Sequence, residues 1–147
     1  MNKKGTPSKN RNILGGKIRM NIVIEFVVND INKAASFYTK YFGFMIKYSQ
    51  YEPVSWMLLK NENTDLMLVT YDYTKNDIHG FKEYTQSTNL YKFQYDNLEK
   101  IKEIYNNLKK DNKEIFQELR KADGRYEFGV FDEDKNMIMV TMQLPIK

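Results

Sequence analysis

Residues 21–44 read NIVIEFVVNDINKAASFYTKYFGF, and residues 90–111 repeat the pattern as LYKFQYDNLEKIKEIYNNLKKD. With Asp30 laid over Asn97, Phe26 meets Phe93, Lys33 meets Lys100 and Tyr38 meets Tyr105. Ile31 meets Leu98, Phe37 meets Ile104 and Tyr41 meets Leu108. Each copy begins as an alternating stretch, passes through a polar cap and continues with apolar residues at helical spacing. Two similar modules sharing one sheet are the expected result.

The rest of the chain is organised around those two copies. Residues 21–28 alternate and predict a strand. Asn29 or Asp30 caps a helix over 31–42 whose apolar face is Ile31, Ala34, Ala35, Tyr38, Tyr41 and Phe42. Gly43 ends that helix, because glycine takes positive φ without steric cost. Strands are expected at 44–51, 54–59 and 66–71, with a turn at 61–65 between the last two. Residues 73–88 are polar and read as a linker. The second copy follows with a helix over 98–110, presenting Leu98, Ile101, Ile104, Tyr105 and Leu108. Strands at 114–119, 126–131 and 137–142 complete it, with a turn at 132–136. The expectation is an α+β fold of βαβββ twice, helices on one sheet face. Module one spans about 21–72 and module two about 89–143, within a single domain at 21–147.

Composition narrows the function classes. A chain of 147 residues suits one domain, and 41% apolar with 14% aromatic residues suffices for a core. There is no cysteine, so thiolate metal sites, thiol nucleophiles and disulfides are excluded. No apolar run approaches the roughly 20 residues that span a bilayer, and no signal peptide is recognisable. The expected location is the cytoplasm, with no membrane partner. The formal charge of +4 comes from the tail. Residues 1–19 hold Lys3, Lys4, Lys9, Arg11, Lys17 and Arg19 without an acid, leaving the remainder mildly acidic. Residues 1–20 are expected to be a disordered basic tail. No aromatics interleave its charges as single-strand binders require, so no nucleic-acid partner is expected. Another reading is that residues 13–20 are a translated ribosome-binding region ahead of a start at Met20.

Three segments carry a resemblance to a known family. They are FVVNDINKAASFYTKYFGF at 26–44, LMLVTYD at 66–72 and GRYEFGVFDEDKN at 124–136. In order, and on a repeat, they resemble the vicinal-oxygen-chelate superfamily of glyoxalases, bleomycin-resistance proteins and extradiol dioxygenases. The last segment is most similar to bleomycin-resistance proteins. It departs from them at Glu133 and Lys135, where the family usually has Pro and Gly.

The resemblance implies where a divalent ion would be held. Its enzymes use His on the first strand of a module, seven residues before the capping Asp, and Glu on the last. The corresponding positions here are Val23, Leu90, Met67 and Met139. None offers nitrogen or oxygen, and a thioether is a poor ligand for magnesium, manganese or zinc. The lone His79 falls in the linker. No metal, no cofactor and no catalytic residue is therefore expected.

Strand alternation selects the cleft residues instead. Ile22, Ile24, Phe26 and Val28 should face the helix, with Val23, Glu25, Val27 and Asn29 opposite. In module two Tyr91, Phe93 and Tyr95 face the helix, and Leu90, Lys92, Gln94 and Asp96 the cleft. Phe128, Val130, Ile138 and Val140 look like core; Glu127, Gly129, Met137, Met139 and Thr141 take the other face. The candidate ligand-binding set is Glu25, Trp56, Met67, Lys92, Glu127 and Met139. Bland readings stand beside it: Glu25 and Glu127 pairing with Lys92 or Arg125, the methionines as plain core, Trp56 as core filler. Methionine and tryptophan in a concave site adapt to bulky ligands, and rim carboxylates favour cations. The expectation is a non-metal small-molecule-binding protein that sequesters a small aromatic or cationic molecule, such as an antibiotic, at a homodimer cleft. The alternatives are a metal-dependent lyase, isomerase or dioxygenase using Glu25 and Glu127, or a regulatory partner protein with a filled cleft.

Overall fold

The computed structural model describes residues 18–82 and 89–143. The basic tail up to Lys17, linker residues 83–88 and residues 144–147 lie outside the described residues. The element order is β1 (Glu25–Val28), α1 (Ile31–Phe42), β2 (Met45–Gln50), β3 (Trp56–Asn61), β4 (Thr64–Thr70) and α2 (Tyr71–Asp77). It continues with β5 (Leu90–Gln94), α3 (Leu98–Lys110), β6 (Ile115–Ala122), β7 (Arg125–Phe131) and β8 (Met137–Gln143). The strands form two four-stranded sheets, β1-β4-β3-β2 and β5-β8-β7-β6, rather than one shared sheet. In each, the first strand runs parallel to the last and the rest are antiparallel.

The long helices form where the sequence places them. The Asp30 carboxylate accepts the Lys33 N–H at 3.0 Å, and the Asn97 side chain accepts that of Lys100 at 3.0 Å. Each cap satisfies one of the donors a helix start leaves free. Gly43 closes α1 at φ 69°, left-handed, with its N–H returned to Tyr38 O. The expected apolar face of α1 is buried, with Phe37 beside it, whereas on α3 Ile101, Ile104 and Leu108 are buried and Leu98 and Tyr105 are half-buried.

Three expectations need correction. Strand β1 begins at Glu25, and residues 21–24 precede it. Ile22, expected against the helix, is 84% exposed, because the helix cover reaches only Phe26 and Val28. Helix α2 takes the last residue of the expected strand at 66–71 and the first part of the linker, started by Thr70, whose hydroxyl accepts the Tyr73 N–H at 3.3 Å. Finally, the β3–β4 turn is only Glu62 and Asn63, with Glu62 at φ 51°.

One core unites both modules. It runs from Phe26, Leu59 and Leu68 through α1 to Ile101, Leu108, Phe128 and Ile138. Tyr91 and Phe93 of β5 bridge it: Phe26 meets Tyr91 edge-on at 4.7 Å and Phe42 meets Phe93 at 4.9 Å. Burying such side chains contributes roughly 1.5–3 kcal/mol each. Helix α1 is also tied to module two by polar contacts. The Tyr38 hydroxyl donates to Asp132 at 2.5 Å, the Tyr41 hydroxyl donates to Asp111 at 2.6 Å, and the Asn29 N–H donates to Asp134 at 3.0 Å. No helix among the described residues is long and apolar enough to cross a membrane.

Candidate functional site

The pairing registers define the two outer faces row by row. In the first sheet Glu25 lies beside Met67, Met67 beside Leu58 and Leu58 beside Tyr48. The next row is Val27, Val69, Trp56 and Gln50. Trp56 therefore shares its face with Glu25 and Met67, and the bulge in β2 leaves that placement unchanged. Glu25 is exposed, Met67, Leu58 and Trp56 are half-buried, and Val69 is buried. At the end of this face Tyr51 stacks on Tyr73 at 5.0 Å, with their hydroxyls 3.1 Å apart. That hydrogen bond, followed by desolvation and the charges of Asp77 and Glu25, pushes the Tyr73 phenol up to about 12.

In the second sheet Lys92 lies beside Met139, Met139 beside Gly129 and Gly129 beside Gln117. The next row is Gln94, Thr141, Glu127 and Arg120. The repeat thus makes Lys92 the counterpart of Glu25, and Glu127 the counterpart of Trp56. Glu127 is only 3% exposed yet fully partnered. Arg120 donates to Oε1 from Nε at 3.2 Å and from Nη2 at 2.9 Å. Arg125 donates from Nε to Oε2 at 2.8 Å and from Nη2 to Oε1 at 3.2 Å. The Arg125 hydrogen bond, with a further one from Arg120, holds this carboxyl below the usual range against the opposing effect of burial.

The six sequence candidates therefore form two sets. Glu25, Trp56 and Met67 share one sheet face; Lys92, Glu127 and Met139 share the other. Among the described residues, no hydrogen bond or ion pair joins the sets. Met139 is 7% exposed, so it is mostly wall. Phe116, which alternation did not assign to this face, covers its centre. A Cβ on Gly129 would sit 2.3 Å from the Phe116 ring, so glycine is what lets that ring lie flat on the sheet. Phe116 also packs on Phe131 at 4.9 Å. From sequence no face is assigned to this strand, and two register shifts around Gln117 break its alternation.

The donor set does not fit a divalent ion. Val23 and Leu90 are exposed aliphatics, Met67 and Met139 are thioethers, and the Glu127 carboxylate is occupied by two guanidinium groups. Among the described residues, no group of three or more His, Cys, Asp or Glu side chains is gathered. Exposed His79 follows α2. A separate pocket of about 640 Å³ opens between the β3–β4 turn and β5, touching Lys92, Gln94, Tyr95 and Asp96. Its walls mix the polar residues around the β3–β4 turn with Phe44, Phe93 and Tyr95, and of the six candidates it includes Lys92 alone. Burial there pushes the Tyr95 phenol up to about 12.

Comparison with known proteins matches this geometry. The model of the Glyoxalase/Bleomycin resistance protein/Dioxygenase superfamily matches residues 22–140. A family enzyme from Burkholderia phytofirmans aligns with a TM-score of 0.72 at 16% identity, covering 83% of this chain and 97% of that one. A hypothetical protein from S. aureus aligns at 0.71 and 17%, covering 86% and 95%. The fosfomycin resistance protein FosX of Listeria monocytogenes aligns at 0.66 and 18%, covering 86% and 94%. No curated protein sequence matches the chain significantly. At such identities the structures establish shared fold alone, while the family match spans both modules: the chain belongs to the glyoxalase/bleomycin resistance protein/dioxygenase superfamily.

Proposed function

We propose that this chain is a non-metal, cytoplasmic small-molecule-binding protein that sequesters a small aromatic or cationic compound, an antibiotic among the candidates. The observation that carries the reading is the outer face of the first sheet. Trp56, Leu58, Met67 and Val69 form an apolar platform there, with exposed Glu25 beside it. Aromatic and thioether walls repack around bulky ligands, and a cation over Trp56 gains roughly 0.5–2 kcal/mol. Lys92, Met139 and Glu127 contribute the second half of the site. A homodimer closes the cleft by setting one copy's outer face against the other's, which also covers Met45 and Tyr48, each 66% exposed. A resistance role is in keeping with a fosfomycin resistance protein among the structural neighbours.

The test is tryptophan fluorescence, since Trp56 is the only tryptophan. Titration with planar cationic drugs of the bleomycin type should quench it with micromolar affinity, about −8 kcal/mol. Unchanged emission, or equal binding by Trp56→Phe, removes the reading. A monomer mass by light scattering removes the dimeric cleft. Stoichiometric zinc, nickel or manganese that is lost on Glu25→Ala replaces sequestration with metal-dependent catalysis.

A further inference from the structure

The row that is apolar on the first sheet is polar and cationic on the second. Where the first has Val27, Val69 and Trp56, the second has Gln94, Thr141 and Glu127, with Arg120 beside Glu127. Glu127 is buried, and one of its oxygens accepts Nη2 of both arginines. Two guanidinium groups are therefore fixed side by side on one carboxylate. Arg120 is half exposed and Arg125 about a third. Each guanidinium carries five N–H donors, so donors remain on both after Glu127 is satisfied. Two positive charges against one negative leave the cluster cationic. Lys92 lies on the same face but further off, roughly 16 Å from either arginine between Cα positions at about 4.8 Å per strand spacing and 3.4 Å per residue. The nearest opposing acid is Asp123, 4.0 Å from Arg125 Nη1 and itself 91% exposed. The Phe116 ring on Gly129 supplies an apolar floor next to the pair.

We infer that Arg120 and Arg125, positioned by Glu127, form an oxyanion subsite on the outer face of the second sheet, taking a carboxylate, phosphate or phosphonate group of a small molecule. Planar guanidinium forks match such groups in a bidentate way. The inference rests on the reading of these faces as a ligand site and narrows the ligand. Its aromatic or cationic part meets Trp56 and Glu25, and its acidic part meets the arginine pair.

Titration of the full chain with acetate and with methylphosphonate, followed by the Arg Nε–H resonances in NMR spectra, tests it. Saturable shifts of Arg120 and Arg125 are expected, and the ratio of the two affinities assigns a carboxylate or a tetrahedral oxyanion. Arg120→Gln should weaken binding about tenfold or more, whereas Lys102→Gln, which removes the same charge from α3, should not. Glu127→Gln separates positioning from simple charge. It makes the cluster more positive, so plain electrostatics predicts tighter binding; loss of positioning predicts weaker binding, as expected here. Equal affinity in Arg120→Gln, or no saturable shift for either probe, overturns the subsite, and tighter binding by Glu127→Gln overturns the positioning role. The Trp56 response to a cationic drug is read on the same samples. Its loss with the arginine shifts intact removes the sequestration reading and leaves the oxyanion subsite standing.

Discussion

Replacing Tyr38 with phenylalanine should unfasten the two modules. Tyr38 is fully buried in α1, and its hydroxyl donates to the Asp132 carboxylate at 2.5 Å, across 94 residues of sequence. Asp132 is 5% exposed and also accepts from Asp134 N at 2.9 Å, Asn136 N at 2.7 Å and Asn136 Nδ2 at 2.8 Å. A hydrogen bond to a charged group contributes about 1.5–3 kcal/mol, and in this site water does not replace the lost donor. Three donors remain, so the cost belongs near the middle of that range, about 2 kcal/mol. At roughly 4 °C per kcal/mol for a domain of this size, the melting temperature should fall by about 8 °C. Burial, reinforced by the adjacent Asp132 charge, keeps the Tyr38 phenol well above its ordinary pKa, so the proton stays on the donor throughout the neutral range. Urea unfolding of Tyr38→Phe, Asp132→Asn and the double variant measures the coupling directly. A coupling energy above about 1 kcal/mol is expected for two groups in direct contact. A cost below about 0.5 kcal/mol for Tyr38→Phe, with no coupling, would refute the view that this bond fastens α1 to the β7–β8 turn.

Other expected outcomes follow from single contacts. Gly129→Ala should lift the Phe116 ring off the sheet and cost about 1–3 kcal/mol, measured by urea unfolding; Gly129→Ala with Phe116→Ala should recover part of the clash. Lys135 sits at φ 65°, left-handed, where the resemblance expects glycine, so Lys135→Gly should stabilise by about 1 kcal/mol in thermal melts. The exposed ion pair of Lys135 with Glu114 that this removes is worth little. Glu127 has its pKa lowered on folding, so its contribution is present above its unfolded value near 4.5 and disappears as pH falls through the folded value. Stability of the wild type should therefore drop more steeply below about pH 4.5 than that of Glu127→Gln, when followed by circular dichroism.

Most of the fold was legible because it depends on repeated local signals. Asp30 and Asn97 cap as expected, and the periodic faces of α1 and α3 point inward. Phe128, Val130, Ile138 and Val140 are fully buried, as alternation required. Helix α2 escaped because its only buried residue is Thr74, which gives no apolar period to detect. Residues 21–24 failed for the opposite reason. Their alternation is clear, but a pattern shows what a segment is able to bury, whereas burial needs a neighbour, and Ile22 has none among the described residues.

The candidate site was legible only in part, because its chemistry lies in the differences between the copies. Aligning them finds the fold from positions that agree, such as Phe26 with Phe93 or Tyr38 with Tyr105. The same alignment sets Glu25 against Lys92. The strand registers then set Trp56 against Glu127 and Gln50 against Arg120. Arg125, two residues from Glu127, was visible as a partner in sequence; Arg120 was not, because it arrives across a bulged pairing. The consequence is physical as well as historical. Two equal half-sites would present one charge and one surface chemistry, suited to a symmetrical ligand. Here one face is apolar and acidic, and on the other two arginines share one buried carboxylate, so the site we propose would suit a molecule with unlike ends.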